Sequence, residues 1–350
     1  MSALFDENIS SFECLPSPNE IKKEIPIAPK QQAFIQNSRA TIKGILDGRD
    51  MRLLAVVGPC AIHDIESATE YAIRLNELAK ELEDNLVIIM RVYFEKPRGN
   101  GWWKGLINDP FLDDSFRIEQ GIRVARKFLA HLAKMGLPAA TEALDPVIPQ
   151  YLGDLISWTF IGQRASESNA HRTLASGLST PVGFKNSQGP NGLDNAIKGI
   201  KTALRPNAFL GINDSGVLSI CRTRGNDYSH IVLRGDGGPN YGSLSISKTE
   251  EALTKAGLPS RIMVDCSHGN SEENPAKQAY VLGDIMTQIE NGNYSIVGFM
   301  LESYLGWGSQ ELKHDKDKLQ FGVSVTDPCI DWETTEQLLR DAAARFGALK

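Results

Sequence analysis

LLAVVGPCAIH, residues 53–63, begins as an unbroken apolar run and leaves it through Gly58-Pro59-Cys60. Such a run suits a strand covered on both faces. In an open doubly wound sheet the first strand normally enters a Gly-rich dinucleotide turn; this one enters a turn carrying the Cys60 thiol and the His63 imidazole. Seven more apolar runs follow: LVIIMR (86–91), AATEAL (139–144), LISWTFIG (155–162), PVGFK (181–185), HIVLRG (230–235), RIMVDC (261–266) and SIVGFML (295–301). Between them lie amphipathic stretches. One is 67–84, with Ala68, Tyr71, Ala72, Leu75, Leu78, Ala79 and Leu82 on one face; others are 115–136, with Gly136 as its C-cap, 274–292 and 332–346. Eight strands alternating with helices, without the dinucleotide turn, predict an α/β chain closed as a (β/α)8 TIM barrel. Residues 208–224 alternate around Asn213-Asp214-Ser215-Gly216 and predict an inserted β-hairpin. Residues 1–30 are polar and proline-bearing and read as an arm outside the core; the expected division is an N-terminal extension, 1–40, and a barrel, 41–350.

The chain of 350 residues suits one such barrel, and its formal net charge of −6 argues against a nucleic-acid-binding face. The five cysteines are scattered, with neither zinc-ribbon nor disulfide-framework spacing, which favours a reducing cytoplasm. Neither a signal-peptide pattern nor an apolar stretch of membrane-spanning length is present in the sequence, so no membrane partner is expected.

Active sites of such barrels form at the C-terminal ends of the strands. In strand order those ends offer Cys60, Arg91, Glu142, Arg164, Lys185, Arg234, His268 and Glu302. Arg91, Arg164, Lys185 and Arg234, with Lys96 and Arg98 from the loop at 93–105, are cations that would repel one another around an empty cavity. Arginine forks and lysine point charges suit carboxylate and phosphate oxygens, so the expected ligand is a small, multiply charged anion. With no GxxxxGK[ST] loop, the phosphates belong to small metabolites rather than nucleotides. Cys60, His268, Glu302 and Asp327 add one sulfur, one nitrogen and two oxygen donors, a set for Mn, Fe, Co, Zn or Cu rather than magnesium. His63 is open between supporting that site and capping the next helix; His131 and His171 read as surface residues.

Through GPCAIHD (58–64), MRVYFEKPR (90–98), WKGLINDP (103–110), ATEALDP (140–146), QYLGDLISW (150–158), STPVGFKN (179–186), LRG (233–235), DCSHGNS (265–271) and VSVTD (323–327), the chain resembles the type I 3-deoxy-7-phosphoheptulonate (DAHP) synthases. The resemblance implies a barrel enzyme that joins phosphoenolpyruvate to erythrose 4-phosphate at the head of the shikimate route to aromatic amino acids. It implies one divalent metal per subunit, manganese favoured, on Cys60, His268, Glu302 and Asp327. Phosphoenolpyruvate would lie on Arg91, Lys96, Arg164, Lys185 and Arg234 with Glu142 beside them, and Arg98 would meet the acceptor's phosphate. Asp327 also borders the substrates, and Lys96, Cys60 and His268 are the implied catalytic residues, Lys96 as proton donor. Carbon 3 of phosphoenolpyruvate would attack an aldehyde activated by Lewis acidity, water would add at carbon 2, and phosphate would leave.

The chain departs from that pattern at Gly99-Asn100-Gly101-Trp102, at Gln163-Arg164-Ala165-Ser166, where small-Arg-Thr-Thr is usual, at 187–192 and at 303–309. The departures keep the donor-binding cations and metal ligands, and they leave room for a paralogue using another phosphorylated or amino-substituted aldehyde. A catalytically weak, effector-binding barrel would have lost Cys60 or Lys96, and neither is lost. The resemblance further implies a homodimer or homotetramer and feedback by an aromatic amino acid bound near Gln150, Ser179, Phe209 and Gly211. Glycine at 211 mildly favours tyrosine over phenylalanine.

Overall fold

The structure, a computed structural model, describes residues 5–96, 103–312 and 318–350. Ten helices and ten strands are described: α1 (Pro18–Glu24), α2 (Pro29–Leu46), β1 (Leu53–Gly58), α3 (Ile65–Glu81), β2 (Leu86–Arg91), α4 (Ile118–Met135), β3 (Ala139–Glu142), α5 (Ile148–Leu152), β4 (Trp158–Ile161), α6 (Asn169–Ala175), β5 (Val182–Lys185), α7 (Gly192–Ala203), β6 (Ala208–Ile212), β7 (Leu218–Arg222), β8 (Ser229–Leu233), α8 (Ser243–Lys255), β9 (Ile262–Asp265), α9 (Gln278–Glu290), β10 (Ile296–Glu302) and α10 (Trp332–Gly347). Eight strands close a parallel barrel in the order β1-β10-β9-β8-β5-β4-β3-β2, so all eight expected barrel strands are present. The other two, β6 and β7, pair antiparallel, with Leu210 opposite Ile220, as the inserted hairpin.

Local chemistry sets the helix ends. Asp64 accepts from the backbone N–H groups of Glu66 and Ser67 and so starts α3. Gly136 takes φ 86 and ends α4 at the expected C-cap. That helix begins at 118 rather than 115, because Leu112, Asp114 and Phe116 occupy the left-handed region and break the helical run. Inside the barrel a Cβ on Gly183 would lie 2.6 Å from both Trp158 and Val232, so glycine there makes room for the indole. The Trp158 Nε1–H donates to His230 Nε2 at 3.3 Å; burial pushes that imidazole down to about 4, leaving it neutral and able to accept.

The N-terminal stretch corrects one expectation. It is polar in composition and exposed at Phe5, Ile9, Phe12 and Leu15, yet from α1 onward it joins the core: Ile21 of α1 and Ile35 of α2 are buried in the main cluster. Ile42, Ile45 and Leu46 of α2 pack against the barrel interior residues Leu54, Val56, Ile89, Met263 and Met300. The division drawn at residue 40 therefore falls inside α2. Composition misled because only a narrow stripe of each helix is apolar.

Candidate active site

Strand register assembles the site. Gly58 of β1 lies opposite Glu302 of β10, and Met300 opposite Asp265 of β9, so Cys60, Asp265 and Glu302 arrive at one rim. Around that rim opens a cavity of about 630 Å³, lined by Arg91, Lys96, Glu142, Arg164, Lys185, Arg234, His268, Glu302 and Asp327. Those nine expected residues meet there. Cys60 sits beneath, fully buried. Arg98 and Trp102 lie outside the described residues.

The charges are paired in a definite pattern. Arg91 donates from Nη2 to Glu302 Oε1 at 2.5 Å and from Nε to the Pro59 carbonyl at 3.1 Å. Its guanidinium lies 3.7 Å from the centroid of the Tyr93 ring. Arg91 Nη1 and the Tyr93 hydroxyl are buried polar groups with no partner among the described residues. Such donors are costly unless a ligand or water satisfies them. Lys185 Nζ reaches Asp265 Oδ2 at 2.7 Å, with both groups buried. Burial alone would raise the Asp265 carboxyl, but Lys185 and then His268 hold it well below its usual range. Glu302 is clamped through its backbone, because Gln278 donates to its carbonyl and accepts from its N–H, both at 2.9 Å.

Three of the expected metal donors, on Cys60, Glu302 and Asp327, lie within 4.8 Å of one another and could hold a metal ion. His268 stands just outside that triplet: Nε2 is 3.6 Å from Glu302 Oε1, and Nδ1 is 2.9 Å from Asp265 Oδ2. Its backbone takes φ 56, an unusual conformation for a non-glycine residue and one that turns the residue sharply after β9. The Cys60 thiol approaches Asp327 Oδ2 at 3.2 Å and accepts from Lys96 Nζ at 2.9 Å. Burial first, then the Glu302 carboxylate, pushes that thiol up to about 11. It is therefore a protonated thiol at neutral pH unless a cation displaces the proton.

Glu142 is raised by burial against the opposing pull of Lys96 and Lys185. A Cβ on the neighbouring Gly162 would lie 2.0 Å from Glu142 Oε1, so a side chain there would push that carboxyl from its present position. His63 does not cap α3, since Asp64 does. It is buried edge-on to Tyr304 at 6.0 Å, and burial pushes its imidazole down to about 4. His131 is exposed as expected. By contrast, His171 is half-buried and bonded to Ser168 Oγ and the Leu144 carbonyl, because the turn before α6 folds over it. Asp265, Tyr93 and Gln278 were missed at the sequence level. Asp265 had a signal, a lone acid closing an apolar run; Gln278, on α9, had none.

A second cavity of about 730 Å³ lies between α1, α5 and the hairpin. Gln150, Ser179, Phe209 and Gly211 all line it, together with Lys22 and Arg39. Lys22 Nζ binds Asp214 Oδ1 at 2.8 Å, and the Gln150 amide donates to the same oxygen at 3.2 Å, tying the N-terminal helix to the hairpin tip. No described helix is long and apolar enough to cross a membrane.

Comparison with known proteins agrees with this geometry. The pattern of the DAHP synthetase I family matches residues 24–340. The tyrosine-sensitive phospho-2-dehydro-3-deoxyheptonate aldolase of Escherichia coli is 49% identical over 340 residues, covering 97% of this chain and 95% of that protein. The phenylalanine-sensitive aldolase of the same organism is 47% identical, covering 97% and 96%. The solved phospho-2-dehydro-3-deoxyheptonate aldolase of Francisella tularensis superposes with a TM-score of 0.94 at 43% identity, covering 98% of this chain and all of that one. With its closed barrel, its ring of strand-end cations and a family match across most of its length, the chain belongs to the DAHP synthetase I family.

Proposed function

We propose that this chain condenses phosphoenolpyruvate with erythrose 4-phosphate, giving 3-deoxy-D-arabino-heptulosonate 7-phosphate and phosphate, the first step toward the aromatic amino acids. One observation carries the reading. Arg91, Lys96, Lys185 and Arg234 are buried around a single cavity, and Arg91 Nη1 is a buried donor with no partner among the described residues. A carboxylate and a phosphate on one small molecule would satisfy that surplus.

Each residue then has a task. The cations hold phosphoenolpyruvate and keep its carbon 3 facing the acceptor. Lys96, 2.9 Å from Cys60, gives a proton at the aldehyde oxygen as the new carbon–carbon bond forms. Glu142 lies on the cavity wall and would meet the water that adds at carbon 2. Cys60, Glu302 and Asp327 would hold a divalent metal with His268 alongside; bound there, it supplies Lewis acidity toward the aldehyde. Thiol, imidazole and two carboxylates fit a first-row ion, and manganese is our choice.

The second cavity is assigned to an aromatic amino acid that feeds back on the reaction, and Gly211 tips the choice toward tyrosine. The assembly is a homodimer or homotetramer; Leu210, Leu218 and Ile220 expose an apolar hairpin face that a second copy would cover.

The test is phosphate release from phosphoenolpyruvate and erythrose 4-phosphate, first in Mn2+ and then in excess EDTA. Release that stops with EDTA and yields heptulosonate is expected. Binding of phosphoenolpyruvate without release, or faster turnover of another aldose, would move the assignment to a paralogue with a different acceptor.

A further inference from the structure

We infer that Gln163 is a positioning residue for the donor's phosphate, holding the Arg234 guanidinium ready for an anion and adding its own amide N–H donors beside it. The inference rests on the phosphoenolpyruvate reading above.

Its basis is a difference among the buried cations. Arg91 and Lys185 each face a carboxylate, Glu302 and Asp265, so much of their charge is answered within the protein. Arg234, 5% exposed, instead donates from Nη1 to the neutral Gln163 Oε1 at 2.5 Å, while its backbone N–H goes to Asn186 Oδ1 at 2.9 Å. A guanidinium only donates, so the amide must present its oxygen to Arg234, which leaves the –NH2 end as a donor. Gln163 and Arg234 both line the cavity, so an amide N–H beside the fork would be available to a bound anion. A neutral acceptor fixes the orientation of the fork without cancelling its charge. A carboxylate in the same place would bind the fork and compete with an incoming phosphate.

The backbone at 163 is held independently of the side chain. Ser166 Oγ donates to the Gln163 carbonyl at 2.9 Å, and the N–H groups of Ala165 and Ser166 both close on the Gly162 carbonyl. Substitution there changes the cavity wall while the turn retains its own bonds. Gln163 is also a position where the chain departs from the small residue usual in the synthases it resembles.

The experiment compares wild type, Gln163→Ala and Gln163→Glu as metal-loaded, full-length protein. Calorimetry gives Kd for phosphoenolpyruvate and for inorganic phosphate, and steady-state kinetics give kcat and both KM values. Expected are a Kd for phosphoenolpyruvate weakened about tenfold or more in Gln163→Glu and about threefold to fivefold in Gln163→Ala, from the loss of a charge-assisted bond. Values of kcat within twofold, an unchanged KM for erythrose 4-phosphate and unchanged thermal midpoints complete the expectation. Wild-type affinity in both variants would overturn the inference, as would an effect confined to kcat or to the acceptor's KM. If wild type binds inorganic phosphate but turns over no phosphoenolpyruvate, the reaction reading fails. The phosphate Kd of the same variants then still decides the role of Gln163: weakening upholds it, and no change overturns it.

Discussion

The two cavities of this barrel share a wall at Glu142, yet they are built on opposite plans. The catalytic cavity takes its groups from the ends of parallel strands, where register alone brings Cys60, Asp265 and Glu302 together, and it concentrates buried charge. The second takes its walls from a short helix, a hairpin and loops distant in sequence, joined by the Lys22–Asp214 pair and backed by an ion pair between Arg126 of α4 and Asp154. The first is rigid because every barrel strand bonds to two others. The second is only as firm as its few ties. Chemistry belongs on the strand ends, where tenths of an ångström matter, and an effector belongs where ordering a loop is inexpensive in free energy.

The largest expected effect tests whether the cavities are energetically separate. Lys96→Ala should lower kcat by about a thousandfold, the scale of a lost general acid. Tyrosine binding by calorimetry should stay within twofold. Parallel loss of effector affinity would show that the shared wall makes the two sites one unit.

Next comes a tie behind the second cavity, reaching its wall through Asp154. Arg126 is buried and donates to the Ile25 carbonyl at 3.1 Å, the Tyr151 carbonyl at 2.9 Å and Asp154 at 2.7 and 2.9 Å. Arg126→Leu should cost about 2–4 kcal/mol by stranding those acceptors, with Asp154 partly relieved by solvent. Chemical denaturation measures that cost. Inhibition by an aromatic amino acid should weaken far more than kcat; the reverse order would place the tie in the catalytic half.

The same contrast governs what could be read from sequence. Strand-end residues are legible because an apolar run announces the strand, and the first ionisable side chain after it is carried to the rim. That logic found Arg91, Lys185, Arg234 and Glu302. It passed over Asp265 because the more conspicuous His268 stands three residues later. The second cavity carries no such period: Gln150 and Gly211 meet only through tertiary packing, and resemblance rather than chemistry named them. For the same reason residues 1–30 looked like an arm, since Ile21 stands among the polar neighbours Asn19, Glu20, Lys22 and Lys23.

Acidity offers a subtler probe of the shared wall. Burial first, then the Asp145 carboxylate, pushes Glu95 up to about 8, and Glu95 lines the second cavity next to Lys96. Between its ordinary value of 4.5 and about 8 the folded protein keeps a proton that the unfolded chain has released. Stability from this group is therefore full below about 4.5 and falls as pH rises through 8. Glu95→Gln should match wild type near pH 5 and be more stable near pH 8.5 by about 2 kcal/mol, a cautious fraction of the full linkage. Denaturation midpoints across that range check it; parallel curves would mean that Glu95 ionises freely.

The smallest effect is expected at Gly211, where the effector reading is most exposed to test. A Cβ there would sit 2.9 Å from Cys221 Sγ and 3.3 Å from the Phe209 ring, both bordering the second cavity. Either can swing a few tenths of an ångström, and the backbone at 211 is ordinary strand, so Gly211→Ala should cost under about 1 kcal/mol of stability. The displaced Phe209 ring and thiol would narrow the cavity where an aromatic effector must lie. Inhibition by tyrosine should weaken about threefold to fivefold, while kcat and the KM for phosphoenolpyruvate do not move. Equal weakening for tyrosine and phenylalanine would mean that Gly211 serves cavity size alone. A selective loss for tyrosine would tie the preference to this position, because only the larger ligand needs the space that the missing side chain leaves.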